Sequence, residues 1–196
     1  MKAIVYEKYG PPEDVFEFKD VEKPTPKANE VLVKIFAASV NFNDLAFVKG
    51  KPILSRLWTG FLKPNHKILG TDIAGRVEAV GKNVSGIKPG DEVFAEIGNY
   101  GYGAFAEYVA VPDKALVLKP TNISYQETAA VPQAAVTALQ GLQDQMQIQP
   151  GHKVLINGAS GGIGTFALQL AKSFGAEVTG VCSTENLKVL QSIGAD

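Results

Sequence analysis

Apolar positions alternate along much of the chain up to about residue 111. Val31, Val33 and Ile35 fall on one side of a stretch whose other side carries Lys34, which predicts a strand over 31–37. Pro24 and Pro26 form a stiff linker ahead of it. Ile73–Val80 alternates in the same way and stops at Gly81. Asp91–Ala95 follows a Pro89-Gly90 turn, and Ala104–Val111 runs up to Pro112. Strands this short and closely spaced predict a small, curved β domain. The period then changes. Ser124-x-x-Glu127 has capping-box spacing and starts a helix near residue 125, and Pro132 divides it from a second, Gln133 to about Gln145. Beyond the Pro150-Gly151 turn, Lys153–Asn157 reads as a short buried strand. Gly161–Phe174 reads as an amphipathic helix with Ile163, Phe166, Ala167, Leu170, Ala171 and Phe174 on one face. Gly175 ends it, Glu177–Cys182 is the next strand and Thr184–Ile193 the next helix. A β-α-β-α order opens a doubly wound sheet, so the fold class is mixed α/β.

Composition supports a division into 1–123 and 124–196. The first segment holds nine of the eleven prolines and 31 of the 39 charged residues. The second has two prolines and eight charges, as buried helices and parallel strands require. Nineteen Lys/Arg against twenty Asp/Glu give a net charge of −1, with no footprint for nucleic acid or an anionic membrane. The longest uncharged stretch, Val154–Ala171, carries four glycines and is no membrane span. A single cysteine, Cys182, forms no internal disulfide and suits a reducing interior, so a cytoplasmic location is expected.

Candidate chemistry concentrates between the strand at 153–157 and the helix that follows. Asn157-Gly-Ala-Ser-Gly-Gly-Ile-Gly164 contains Ala159-x-Gly161-x-x-Gly164, a dinucleotide fingerprint with alanine for its first glycine. Small residues are needed there for a tight turn, for close approach of pyrophosphate to bare backbone, and for helix–strand packing. Ala159, Ser160, Gly161, Gly162, Ile163 and Gly164 are the candidate phosphate-binding residues, with the helix N-terminus supplying amides and dipole. The same string without a cofactor would be a plain strand–helix turn. Short-chain dehydrogenases carry a similar string near their N-terminus together with a Tyr-x-x-x-Lys, which occurs nowhere here.

Gly70-Thr-Asp-Ile-Ala-Gly75 through Gly90-Asp91-Glu-Val93 resembles the signature of the quinone oxidoreductase and zeta-crystallin branch of medium-chain dehydrogenases. Ala38-Ser-Val-Asn41-Phe-Asn-Asp44, Ala104-Phe-Ala-Glu-Tyr108 and Ala129-Ala-Val-Pro132 leading to Thr137-Ala-Leu agree with it, in family order. The resemblance implies a GroES-like catalytic domain followed by a Rossmann domain, with NAD(P)H bound between them. It also implies the absence of zinc. Zinc-dependent relatives place Cys where this chain has Asn41, His where it has Thr71, and a second Cys near Gln133. The chain has two histidines, His66 and His152, neither at a matching position, and a catalytic zinc needs three Cys, His or carboxylate ligands. Asn41 becomes the candidate polar group facing nicotinamide or substrate, and Thr137 resembles the threonine that seats the nicotinamide amide. Asp44 either serves the site or caps a helix. Ala46 stands where some relatives carry a cleft tyrosine, so solvent is the simplest proton donor. Trp58, Tyr100 and Tyr102 either line an aromatic pocket or belong to the core.

Cofactor choice turns on the end of the second Rossmann strand. NAD-preferring domains place an acid there for the ribose 2′-hydroxyl, and this chain has Cys182. Ser183, Thr184 and Lys188 could hold a 2′-phosphate, while Glu185 opposes one. The balance favours NADPH over NADH. The expected function is zinc-independent hydride transfer to quinones, enones or enals by a homodimeric full-length protein. The alternatives are a non-catalytic NADPH-binding or structural protein, and an enoyl-reductase module of a larger synthase. Only 46 residues follow Pro150, against about 30 per β-α-β unit in a full domain, so the chain reads as a fragment of a longer enzyme.

Overall fold

The computed structural model covers residues 1–196, and every side chain except that of Trp58 is described. Its elements are β1 (Lys2–Val5), α1 (Pro12–Val15), β2 (Glu17–Asp20), β3 (Glu30–Ala38), α2 (Phe42–Lys49), α3 (Arg56–Thr59), β4 (Asp72–Val80), β5 (Glu92–Glu96), β6 (Tyr108–Pro112), β7 (Val117–Leu118) and α4 (Tyr125–Ala129). There follow α5 (Pro132–Leu139), a π-helical turn over Gln140–Gln145, β8 (Lys153–Asn157), α6 (Gly162–Ser173), β9 (Glu177–Val181) and α7 (Leu187–Ser192). The chain divides into two compact units, Met1–Pro132 and Gln133–Asp196. That division falls nine residues past the change in composition, because α4 packs on β3, β4 and β5. Tyr125 and Lys119 secure it: the Tyr125 hydroxyl donates to Glu92 Oε1 at 2.7 Å, and the Lys119 ammonium lies 3.2 Å from Glu92 Oε2.

In the first unit a β1–β2 hairpin accompanies a five-stranded antiparallel sheet in the order β6-β3-β4-β5-β7. Register shifts between Leu32 and Val33 and between Ile35 and Ala37 bend β3 against β4, which gives the sheet its curvature. Val31, Val33, Ile73, Val77, Val93, Ile97, Val109 and Val111 fill the core beneath it. The strand expected over 104–111 is shorter. Its first part, Ala104–Glu107, bonds instead to the backbones of Gly70, Leu69, Lys2 and Ile35, crossing between the hairpin and the sheet.

In the second unit β8 and β9 pair in parallel, Lys153 opposite Glu177 through Asn157 opposite Val181. The buried stripe of α6 is Gly164, Ala167, Leu168 and Ala171. Phe166, Leu170 and Phe174 are partly buried beside it, and Ile163 is half exposed. The apolar face predicted from periodicity is therefore turned by one residue. Gly164 is the reason: lacking a side chain, it lets the first turn of α6 sit directly on the glycine loop, which centres the contact on Leu168 rather than Ile163. The helix expected over 184–193 begins with a 3₁₀ turn at Thr184–Asn186. Among the described residues no helix is long and apolar enough to cross a membrane.

Candidate functional site

The candidate residues form two groups, one in each unit. In the first, Asn41 is the N-cap of α2, with extended backbone, and Asp44 lies in the first turn. The Asp44 carboxylate is buried. Its Oδ2 accepts the Asn41 N–H at 2.8 Å and its Oδ1 the Gly70 N–H at 3.1 Å. Both oxygens thus serve backbone amides, tying the start of α2 to the segment that enters β4. Burial pushes the Asp44 carboxyl up, the two amides oppose this, and the charge of Asp72 adds to the rise.

Asn41 carries the more informative side chain. Its amide nitrogen lies 3.1 Å from Ser39 Oγ, 3.1 Å from Asp72 Oδ2 and 3.4 Å from Thr71 Oγ1. Ser39 Oγ donates to Asp72 Oδ2 at 2.9 Å, and Thr71 Oγ1 stands 3.5 Å from Asp72 Oδ1. Asp72 is wholly buried and Thr71 nearly so. Sequence reasoning missed Ser39 and Asp72 as site residues. A carboxylate at the head of a strand otherwise rich in buried apolar residues was the available signal, since an acid is rarely buried without partners.

Around this network, Glu96 pairs across the sheet with Asp72 and accepts the Gly98 N–H at 2.9 Å. Burial raises its carboxyl, and Asp72 adds to this. Tyr102 sits at φ +63° and meets Phe47 and His66 edge-on, with ring centroids 5.7 and 5.0 Å away. Tyr100 is exposed, and the Trp58 side chain lies outside the described residues. His152 is exposed, 3.2 Å from the Gln149 N–H. Among the described residues no three His, Cys, Asp or Glu side chains converge on a metal-sized site.

The second group is built almost without side chains. Gly158 turns the chain at φ +73° after β8, and the N–H of the fully buried Ala159 bonds Val181 O at 3.0 Å, holding the loop over the end of β9. Gly161 is the N-cap of α6 and contributes no capping side chain. The first-turn amides therefore lack the usual side-chain acceptor. A Cβ on Gly164 would lie 2.3 Å from Gly158 O and 2.7 Å from Ala159 Cα, both backbone. At Gly162 nothing stands within 4 Å of the added carbon. Gly164 is needed for packing and Gly162 faces open space, the arrangement an anion cradle requires.

Beside the cradle, Asn186 Nδ2 reaches Ser160 Oγ at 3.3 Å and Ser183 Oγ at 3.0 Å. This joins the glycine loop to the loop after β9, a link that sequence spacing does not reveal. Ser183, Thr184 and Lys188 are exposed there, as is Glu185, whereas Cys182 is partly buried against the core. Thr137, on α5, is exposed and its hydroxyl donates to Gln133 O at 2.7 Å.

Residues 27–121 match the alcohol dehydrogenase GroES-like domain. The chloroplast envelope quinone oxidoreductase homolog of Arabidopsis thaliana is 38% identical over all of this chain and 60% of its own length. The NADPH-dependent alkenal/one oxidoreductase of the same plant is 36% identical over all of this chain and 51% of its own. The quinone oxidoreductase structure from Coxiella burnetii superposes with a TM-score of 0.91 at 33% identity, over all of this chain and 61% of that one. The chain spans about 60% of the length of its first curated relatives. A GroES-like β domain followed by a glycine-loop β-α-β defines the medium-chain dehydrogenase/reductase class. Within that class, the chain is similar to quinone oxidoreductases over its whole length.

Proposed function

We propose that the full-length protein is an NADPH-dependent oxidoreductase that delivers hydride to quinones or to activated enones and enals without zinc. The observation that carries this reading is the bare backbone cradle from Gly158 to Gly164, open at Gly162 and uncapped at Gly161. Ala159, Ser160, Gly161, Gly162, Ile163 and Gly164 would hold the pyrophosphate, with the helix dipole favouring its charge. Ser183, Thr184 and Lys188 would take the 2′-phosphate, which meets no carboxylate at Cys182. When bound, the nicotinamide supplies the hydride. The Thr137 hydroxyl has spent its proton on Gln133 O, so it offers a lone pair to an incoming amide N–H.

Independence from zinc rests on the chemistry at positions 41 and 71. Asn and Thr occupy them, hydrogen-bonded to each other and to Asp72, where a metal centre would need thiolate and imidazole. With alanine at position 46, where some similar enzymes carry a tyrosine, solvent supplies the proton that completes reduction. A small-molecule acceptor, a homodimer and a reducing compartment such as the cytoplasm complete the proposal.

Steady-state oxidation of NADPH by the full-length protein, tested against a panel of quinones, enones and enals, checks this reading. Saturable turnover of at least one class is expected. Tight NADPH binding with no turnover of any acceptor would favour a non-catalytic binding protein instead.

A further inference from the structure

Segment 53–62 of the first unit turns its polar groups inward and its apolar groups outward. The Tyr9 hydroxyl donates to Gly60 O at 2.6 Å and lies 2.9 Å from Thr59 Oγ1, and Thr59 is buried. Arg56 Nε donates to Gly50 O at 3.1 Å, with its guanidinium over the Tyr9 ring. The Ser55 hydroxyl is buried as well. The Asn65 N–H closes the turn on Thr59 O at 2.7 Å, and a Cβ on Gly60 would lie 2.0 Å from Lys63 O. The segment is thus tied down by its polar side, and Ile53, Leu54, Leu57, Phe61 and Leu62 are left 63% to 86% exposed. Single exposed apolar residues are ordinary, but five within ten positions mark a contact surface.

Charge distinguishes what this face meets. Residues 45–71 hold five Lys/Arg and no Asp or Glu, a segregation that the net charge of −1 conceals. Arg56 is spent inside the turn. Lys49, Lys51 and Lys63 are exposed and form no salt bridge among the described residues. The nearby acids belong to another segment: Glu7 pairs with Lys67 at 3.1 Å and also feels Lys19 and Lys63, and Glu13 shares a groove with Lys49 and Lys51. The surface stays positive. A second copy of this face would set lysines against lysines, which repels. Protein interfaces are also depleted in lysine. An anionic lipid surface suits both halves, because apolar tips enter the acyl boundary while lysines beside them reach phosphate along their own apolar stems. We infer that segment 49–63 docks this protein on an anionic lipid surface, with its apolar tips in the interface and Lys49, Lys51 and Lys63 on the phosphates. Docking of this kind is independent of the redox chemistry proposed above.

The test is co-sedimentation of the full-length protein with vesicles of phosphatidylcholine, alone or with about 30% phosphatidylserine. Binding to the anionic vesicles should be at least about tenfold tighter and should weaken with added salt. Phe61→Ser with Leu62→Ser should loosen it by about tenfold or more, with melting temperature and oligomeric state unchanged. Lys51→Gln with Lys63→Gln should cut the preference for phosphatidylserine by about tenfold. Binding to neither vesicle overturns the assignment, as does binding that either double variant leaves intact. A melting temperature lowered by the Phe61 and Leu62 changes would put another part of the same chain over this face, and an oligomer split by them would put a second copy there. Either result overturns the assignment.

Discussion

In the first unit, Ser39, Asn41, Thr71 and Asp72 spend their side chains on one another. In the second, the loop from Gly158 to Gly164 has almost no side chain to spend. The first arrangement gathers side chains around one buried carboxylate and needs residues 31 and 33 positions apart to meet. The second exposes backbone amides at a helix start and needs only seven consecutive residues. A site made of side chains is specific because it is closed by tertiary structure. A site made of backbone is general, and suits groups that every dinucleotide shares.

The largest effect should come from refilling the cradle. Gly164→Val places carbon against Gly158 O and Ala159 Cα, neither of which can yield. The second unit should lose more than about 3 kcal/mol, with no measurable NADPH binding. Gly162→Ala, with open space around the added methyl, should leave the melting temperature nearly unchanged. Thermal unfolding of the two variants makes the contrast.

In the first unit, Asp44→Ala strips two backbone N–H groups of their acceptor and should cost about 1–3 kcal/mol for each, read by urea denaturation. The pH dependence follows from the direction of the shift. Asp44 holds its proton more tightly folded than unfolded, so its contribution is complete below the ordinary carboxylate range and is lost as pH rises through the raised value. Stability should therefore fall more steeply above about pH 4 in the wild type than in Asp44→Asn.

Cofactor choice is the next smaller effect. Lys188→Ala should weaken NADPH about tenfold, or 1.4 kcal/mol, and leave NADH unchanged in steady-state kinetics. Cys182→Asp should shift preference toward NADH by a similar factor. Because Cys182 is partly buried against the core, the shift should come with a lowered melting temperature. A parent that already prefers NADH, with that preference unchanged in both variants, would make Glu185 the ribose ligand.

The smallest effect concerns the seam between α4 and β5. The Tyr125 hydroxyl first, then Lys119, hold the Glu92 carboxyl below its usual range. Its stabilisation is present above that range and lost as pH falls through the lowered value. Glu92→Gln should flatten slightly the acid limb of the stability profile.

The contrast between the units also marks what could be read from sequence. Strand, glycine loop and helix at 153–174 were legible because each signal is local, and β8 falls on the expected residues. The exposed Ile163 was not, since periodicity cannot tell that a glycine at 164 draws the helix inward. Asp44 was legible as a helix cap; that Asn41 is the N-cap of the same helix was not. Ser39 and Asp72 were not, because nothing in their spacing reveals that the head of β4 arrives beside the N-terminus of α2. The same limit hid Asn186, which joins two loops 26 positions apart.

Positions 41 and 71 join in a hydrogen-bonded network where a metal centre would need thiolate and imidazole. The direct test is acceptor-dependent NADPH oxidation by full-length protein stripped with a chelator, with zinc quantified in the same sample. Undiminished turnover at well under one zinc per chain is the predicted result. Turnover that disappears on chelation and returns only with added zinc would contradict it.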